Sequence, residues 1–384
     1  MKTILVLGAG TGGIVTAREL SKHSGNEDDI NLVNILVFEK EERSVFAPSL
    51  PWIMVGQRKP EQIYESYKKL DASGLEVITG EIENVDPENI SITVKGKVYK
   101  GDYMVVSLGV EQKNDLNLDK FGYNFFTLDG ATKFNKELDL LVIGKIAILV
   151  SSLPFKSPAA PYEAAMLIED YVRKAEISNK VEVALYSPEG GPMEFAGPEA
   201  SQELQSLLEK RGIKYYPNHQ VTNVTANTLE FSNGKSYKYN LLAYTPKHET
   251  PAVIRNSSLA GESGWIEANR KTLETKFPNV YAIGDITDIK LDTGVSLPKI
   301  GIFAREQAEI VAHNIGRKIG NSLPDHTFKG EGQYFIEYGK GLASTTDVNF
   351  YEDPKEPHVK MKTPEVLGHW HKWWAEKYWF FKNF

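Results

Sequence analysis

The chain has 384 residues, 41% hydrophobic and 25% charged, with 44 basic against 51 acidic side chains and a formal net charge of −7. This is the composition of a folded protein of two or three domains; it excludes a disordered chain and leaves no basic footprint for nucleic acid. The absence of cysteine excludes disulfides, thiolate nucleophiles, iron–sulfur ligation and cysteine-based zinc sites together.

No apolar run approaches the ~20 residues of a membrane span. The eight histidines hold no pair at metal-ligand spacing in an acidic context, so no metal is expected. Thr3 to Leu7 is an apolar run ending in Gly8-Ala9-Gly10-Thr11-Gly12-Gly13, after which Ile14, Val15, Ala17 and Leu20 recur at helical spacing. This predicts strand, glycine turn and helix. The glycines stand where a signal peptide would continue its apolar core, so a mature cytoplasmic start is expected. Ile35 to Phe38 is a second strand with Glu39 at its C-terminal tip, completing a βαβ unit.

A helix is expected over about Pro60 to Leu70 and a strand over Leu75 to Thr79. Ile82 to Val85 and Ile90 to Val94 form an antiparallel pair, and Asp102 to Gly109 holds another buried strand. From Leu140 the same alternation returns. Leu141-Val142-Ile143 and Ile146 to Val150 are read as strands, Pro161 to Lys174 as a helix, Val181 to Tyr186 as a strand, Ala200 to Arg211 as a helix and Gly212 to Tyr216 as a strand. Asn233-Gly234 marks a hairpin turn between Leu229 to Phe231 and Tyr237 to Tyr244. Val280 to Ile283 is a strand leading into Gly284-Asp285, and Ile300 to Ile315 is a helix. From Glu331 the character changes to an aromatic strand, Gln333 to Gly339, a polar linker at 352–357, and a tail, Gly368 to Phe384, that holds four of the six Trp. The expected fold is α/β, with two Rossmann-like three-layer dinucleotide-binding domains and a C-terminal interface segment with an amphipathic helix. Residues 1–112 and 265–328 form the first domain, 113–264 the second, and 329–384 the C-terminal segment.

Gly8 permits the tight turn, Gly10 lets the backbone approach a pyrophosphate, and Gly13 lets helix and strand pack closely. The phosphate would sit at the helix N-terminus beside Thr11 and Gly12, where free N–H groups and the helix dipole favour anions. Glu39, followed by Lys40, stands where a ribose hydroxyl acceptor is needed and would repel a 2′-phosphate. Its separation from Gly13 exceeds the usual ~20 residues by the polar insert Gly25 to Asn34. FAD and NAD both satisfy this motif.

Gly284-Asp285, preceded by Asn279 to Ile283, resembles the second fingerprint of FAD-binding enzymes with two dinucleotide domains. On it the chain resembles the pyridine nucleotide–disulfide oxidoreductase superfamily, and within it the sulfide:quinone oxidoreductase and type II NADH dehydrogenase branch. Phe46 to Trp52 with Gly56, Asp102 to Gly109, Phe126 to Ala131 and Pro154 to Glu163 resemble blocks of the sulfide:quinone enzymes, as does Leu297 to Gly301 with Ala304 and Gln307. The resemblance implies bound FAD, with Asp285 on its ribityl or pyrophosphate part and Gly109 and Gly284 in the same cradle. It also implies a helix N-terminus near Gly301 that, with Lys299, faces the flavin pyrimidine ring. There they would stabilise the negative charge that two-electron reduction places at N1 and C2=O.

The chain departs from these relatives at the two positions where they carry working cysteines, which here hold Ser157 and Tyr334. Neither hydroxyl forms a persulfide, so the sulfur relay cannot run. The expected function is therefore an FAD-dependent oxidoreductase that passes two electrons from a small donor to a quinone, with Lys156, Ser157, Tyr334 and Lys299 as its catalytic residues. Tyr162 and Glu163 are expected near the substrate face. An NADH:quinone oxidoreductase is one alternative, although the middle block has the single Gly144 where a fingerprint would stand and Glu189 lies past its strand end. A non-catalytic flavin-binding subunit is the other. On a helix, Trp370, Trp373, Trp374, Tyr378, Phe380, Phe381 and Phe384 fall on one broad face, opposite Lys372, Glu376, Lys382 and Asn383. This interfacial pattern predicts peripheral membrane contact through Gly368 to Phe384 and a quinone entrance beside it. Packing onto the body or onto a second copy in a homo-oligomer is the alternative.

Overall fold

The computed structural model describes residues 1–23, 33–71, 75–320, 322–352 and 358–384. Most of the polar insert 25–34 and of the linker 352–357 lies outside the described residues. In chain order the principal elements begin with β1 (Lys2–Leu7), α1 (Thr11–His23), β2 (Val33–Glu39), β3 (Glu76–Thr79) and β4 (Tyr103–Val106). There follow β5 (Tyr123–Asn124), α2 (Leu128–Leu140), β6 (Gly144–Val150), α3 (Ala160–Lys174), β7 (Val181–Tyr186), α4 (Pro198–Lys210), β8 (Lys214–Tyr216) and β9 (Leu241–Thr245). The chain closes with β10 (Val280–Ala282), α5 (Gly301–Ile319), β11 (Glu331–Gly339), β12 (Leu342–Asn349), β13 (His358–Met361) and α6 (Val366–Asn383).

Two five-stranded parallel sheets organise these elements, in the orders β10-β4-β1-β2-β3 and β5-β9-β6-β7-β8. Ile4 to Leu7 and Ile146 to Val150 are fully or almost fully buried, as strands covered on both faces require. The first sheet takes its fifth strand from residues 280–282, far along the chain, so this sheet is discontinuous in sequence. α1 and α5 pack lengthwise against each other on one face of it. β11, β12 and β13 form a separate antiparallel sheet, against which α6 docks. The closest approach is at Gly368, where a Cβ would lie 2.2 Å from the Ala343 carbonyl oxygen.

Four expectations are corrected. The helix expected over Pro60 to Leu70 is a 3-10 turn at Pro60–Gln62, a strand at Tyr64–Ser66 paired with Arg43–Val45, and a short helix at Lys68–Asp71. Ile63, Tyr67 and Leu70 are buried at spacings that mimic a helix, but strand pairing satisfies the backbone between them. Leu141-Val142-Ile143 is not a strand: α2 runs to Leu140, and Val142 and Ile143 are exposed in the link to β6. Tyr237 to Tyr244 is two strands, because Ser236–Lys238 closes the hairpin around Asn233-Gly234 while β9 enters the second parallel sheet. Finally, the seven aromatics expected on one face of α6 are divided, with Trp373, Phe380 and Phe384 packed against the cores. Lys372 and Glu376 are buried together with Asn383 and Trp379, while Trp370, Trp374 (62% exposed), Tyr378 and Phe381 (87%) face outward. The inward charges meet buried partners, Lys372 on Glu163 and Glu376 on Arg58, which is what makes their burial tolerable.

Candidate functional site

The turn between β1 and α1 admits only glycine at its corners. Gly8 has φ +93°, and a Cβ there would lie 2.5 Å from Ser107 O; at Gly13 a Cβ would lie 1.8 Å from Gly8 O, and at Gly12 2.6 Å from Ser107 Oγ. Gly10 differs, because a Cβ there meets no described atom within 4 Å. Its open side belongs to a cavity that Thr11, at the N-terminus of α1, also lines. At the tip of β2, Glu39 Oε2 accepts from Ala9 N at 2.8 Å, and Oε1 accepts from Lys40 N at 2.8 Å and Glu41 N at 3.1 Å. The carboxylate is thus held against the glycine turn, with the Lys40 side chain exposed beside it.

Across the sheet, Gly109 (φ +64°) follows β4 and Gly284 (φ +73°) follows β10. The Gly284 N–H donates to Gln307 Oε1 of α5 at 2.7 Å. Asp285 Oδ1 is buried without a hydrogen-bond partner among the described residues. A buried carboxylate oxygen left unpaired costs about 1–3 kcal/mol or more, so the position suits a ligand hydroxyl that donates to it. The open Gly10, the helix N-terminus and this orphaned acceptor together fit a dinucleotide laid across the C-terminal ends of the strands.

Lys299 is the best-anchored cation of the site. Its Nζ donates to Asp285 O at 2.6 Å and Thr287 O at 3.0 Å and stands 3.7 Å from the Trp265 ring centroid. Burial lowers its pKa to about 8 against the pull of Asp285 and Asp288. Its carbonyl accepts the Ser157 N–H at 2.8 Å, and Gly301 opens α5 two residues later.

The cavity, of about 690 Å³, runs from Gly10 and Thr11 past Lys156, Ser157, Gly301 and Tyr334 to the underside of α6 at Lys372 and Trp379. Six of the expected site residues therefore line one space. Gly8, Gly12, Gly13, Glu39, Lys40, Gly109, Gly284, Asp285 and Lys299 lie outside its lining. Ser157 holds the left-handed conformation (φ +53°) at the head of the loop that enters α3. The Tyr334 hydroxyl is buried with no described partner, and burial raises its pKa.

Sequence reasoning missed Glu306, His248 and the pairing of Lys372 with Glu163, itself expected near the substrate face. Glu306 of α5 also lines the cavity, with its pKa raised to about 7 by burial, then by Glu331 and Glu309. His248 is buried edge-on to Phe126, and neither ring nitrogen has a described partner; burial, then Lys156 and Lys299, lower its pKa to about 3, so it is neutral. Glu163 meets Lys372 beneath α6. These contacts join elements distant in sequence, and no local motif announces them. Away from the cavity, His313, Asp325 and His326 bring ligand-type atoms within 4.8 Å of one another, across a loop too long to register as metal spacing. The guanidinium of Arg317 shares the same carboxylate.

The second sheet lacks the equivalent of the glycine turn. The loop from β6 to α3, residues 151–159, contains no glycine. Glu189, beyond β7, is buried and accepts from Tyr162 Oη at 2.5 Å and Ser187 Oγ at 2.9 Å.

The family described as pyridine nucleotide-disulphide oxidoreductase matches residues 2–308. The mitochondrial sulfide:quinone oxidoreductase of Dictyostelium discoideum is 28% identical over 348 residues, 85% of this chain and 73% of that protein. Among solved structures, the sulfide:quinone oxidoreductase of Aquifex aeolicus aligns with a TM-score of 0.86 at 23% identity, covering 100% of this chain and 91% of that one. NDH2 from Plasmodium falciparum in complex with NADH aligns with a TM-score of 0.70 at 14% identity, covering 90% and 89%.

Proposed function

The chain belongs to the pyridine nucleotide-disulphide oxidoreductase family, and on that premise we propose that it is an FAD-dependent oxidoreductase passing two electrons from a small donor to a quinone without a cysteine relay. The observation that carries this reading is the single cavity that joins the glycine turn to the underside of α6. We assign residues 1–112 and 265–328 to the FAD-binding domain, 113–264 to a second Rossmann-like domain and 329–384 to the acceptor-side segment.

In this reading Gly8, Gly10, Thr11, Gly12 and Gly13 receive the pyrophosphate, and Glu39 accepts from the adenosine ribose with Lys40 at its rim. Gly109 and Gly284 let the backbone come close, and Asp285 takes a ribityl hydroxyl on its unpaired oxygen. Bound FAD would supply two-electron acceptance and release. Lys299, held near Gly301 at the start of α5, places a positive charge where reduction adds a negative one. Lys156, Ser157 and Tyr334 line the space left for the reacting partners. With serine and tyrosine at the two positions, the donor delivers electrons without a covalent sulfur intermediate.

The second sheet argues against NADH as that donor. Its glycine-free turn offers no close approach to a pyrophosphate, and Tyr162 and Ser187 already occupy Glu189.

No helix among the described residues is long and apolar enough to cross a membrane. The outward Trp370, Trp374, Tyr378 and Phe381 of α6 suit the headgroup zone, and Lys377 at their flank suits anionic lipid. This supports peripheral attachment that opens the cavity toward a lipid-soluble acceptor.

Titrating flavin-stripped protein with FAD tests the reading. Saturable binding of one FAD per chain is expected, and a chain that takes up none overturns it.

A further inference from the structure

The inward face of α6 carries a line of ionisable groups that packing alone does not require. Lys372 of α6 is buried against Glu163 of α3, and both line the cavity. Glu337 of β11, also buried, stands close enough to Glu163 for its charge and its backbone to act on that carboxyl. The Glu337 carboxylate in turn meets His369 Nδ1 at 2.9 and 3.1 Å. The His369 side chain is 26% exposed, so the line begins at solvent and ends at the cavity wall.

The charge count of this group makes it a proton store. Two buried carboxylates face one buried ammonium, so the group needs one further proton to be neutral. Burial, opposed by Lys372 and reinforced by Glu337, raises the Glu163 pKa to about 7. The neighbouring charges are already committed elsewhere. Arg58 pairs with Glu376, and the Trp52 ring stands 4.2 Å from Arg58 and 4.7 Å from Lys372. Ser49 and Lys377 complete the Glu376 contacts. Those contacts and Arg18 on the Asn383 carbonyl also dock α6. An ionic group buried in addition to them is weak evidence for stability, since apolar side chains of like volume commonly do as well or better.

We propose that His369, Glu337, Glu163 and Lys372 form the proton route between solvent and the arm of the cavity beneath α6. The proposal rests on the quinone reading above. Reducing a quinone to a quinol takes two electrons, which the bound flavin provides in that reading, and two protons, one for each new O–H bond. Glu163 and Lys372, at the cavity wall, pass the two protons in turn to the two acceptor oxygens; Glu337 and His369 act through them, replacing each from water.

The test is the oxidative half-reaction of the FAD-loaded protein. The flavin is reduced anaerobically with dithionite and mixed with a short-chain benzoquinone in H2O and in D2O across a pH series. For the natural chain the rate falls as pH rises through about 7 and is slower in D2O. Glu163→Gln slows reoxidation by roughly 100-fold, the lower end of what a positioned proton donor contributes, and removes the pH inflection. Formate restores part of the rate in Glu163→Ala. His369→Gln, at the solvent end, lowers the rate roughly 10-fold with FAD content unchanged, below the range for a donor that touches substrate. If Glu163 variants fail to fold, the solvent isotope effect and pH profile of the natural chain and of His369→Gln still decide. Reoxidation by quinone with a flat pH profile, no isotope effect and an unaffected His369→Gln overturns the route alone. Failure of the quinone to reoxidise the flavin in the natural chain overturns both the quinone reading and the route built on it.

Discussion

The Ser157 N–H donates to the carbonyl of Lys299 at 2.8 Å, tying the loop that enters α3 to the segment that opens α5. Through this bond each parallel sheet fixes a residue of the other's half of the site. Ser157 is held in a left-handed conformation, while Lys299 is anchored by the carbonyls of Asp285 and Thr287.

Lys299 sets a pH dependence in the flavin-free protein. Its folded pKa is about 8 against 10.5 in the unfolded chain, so between these values the unfolded state binds more protons and stability rises with pH. Below pH about 8 the cost of burying the ammonium is fully present. Denaturant midpoints should therefore climb between pH about 8 and 10.5 and lose this climb in Lys299→Met. In the FAD-loaded protein the same substitution should slow flavin reduction on the order of 100-fold, the scale of one lost electrostatic stabiliser.

Gly10 and Gly13 separate cofactor binding from folding. Gly10→Ala meets no described atom, so its stability should stay within about 0.5 kcal/mol of the natural chain while FAD affinity falls. Gly13→Ala drives a Cβ into Gly8 O and should lose both, as read by denaturation and flavin titration.

The bond from Tyr162 to Glu189 predicts indifference to NADH. Millimolar-scale NADH should leave the bound flavin oxidised over times in which a productive donor bleaches it. Tyr162→Phe should cost about 1–3 kcal/mol in stability by stripping a buried carboxylate of one donor, without creating NADH activity. Rapid bleaching by NADH in the natural chain would transfer the donor role to nicotinamide.

The outer face of α6 is expected to bind lipid. Trp374→Ser with Phe381→Ser changes two exposed positions, so thermal stability should hardly move, yet recovery with floated anionic liposomes should drop. Equal recovery of both proteins would assign this face to another contact.

Where the sequence was readable, local physics decided the structure. Gly8 to Gly13 after an apolar strand, Glu39 at the tip of β2 and Gly284-Asp285 after β10 each carry their geometry in a few adjacent residues. The alternation of strands and helices marks two sheets in the same way. The misreadings arose where long-range contacts overrode local pattern. Ile63, Tyr67 and Leu70 keep helical spacing, yet strand pairing at Tyr64–Ser66 prevails. Periodicity found the aromatic and polar positions of α6 but not their partners, because Glu163 and Arg58, more than 200 residues away, draw Lys372 and Glu376 inward. The His369, Glu337 and Glu163 line and the isolated His248 depend on the same kind of contact.

The central claim is that this chain cycles two electrons between a small donor and a quinone without sulfur in its own side chains. It is tested most directly by following flavin absorbance anaerobically with NADH, sulfide, polysulfide and small thiols in turn, then adding a short-chain quinone. The account predicts that a donor other than NADH bleaches the flavin and that the quinone restores its colour within the same cuvette. A flavin that none of these donors reduces, or that stays bleached when the quinone is added, would contradict it.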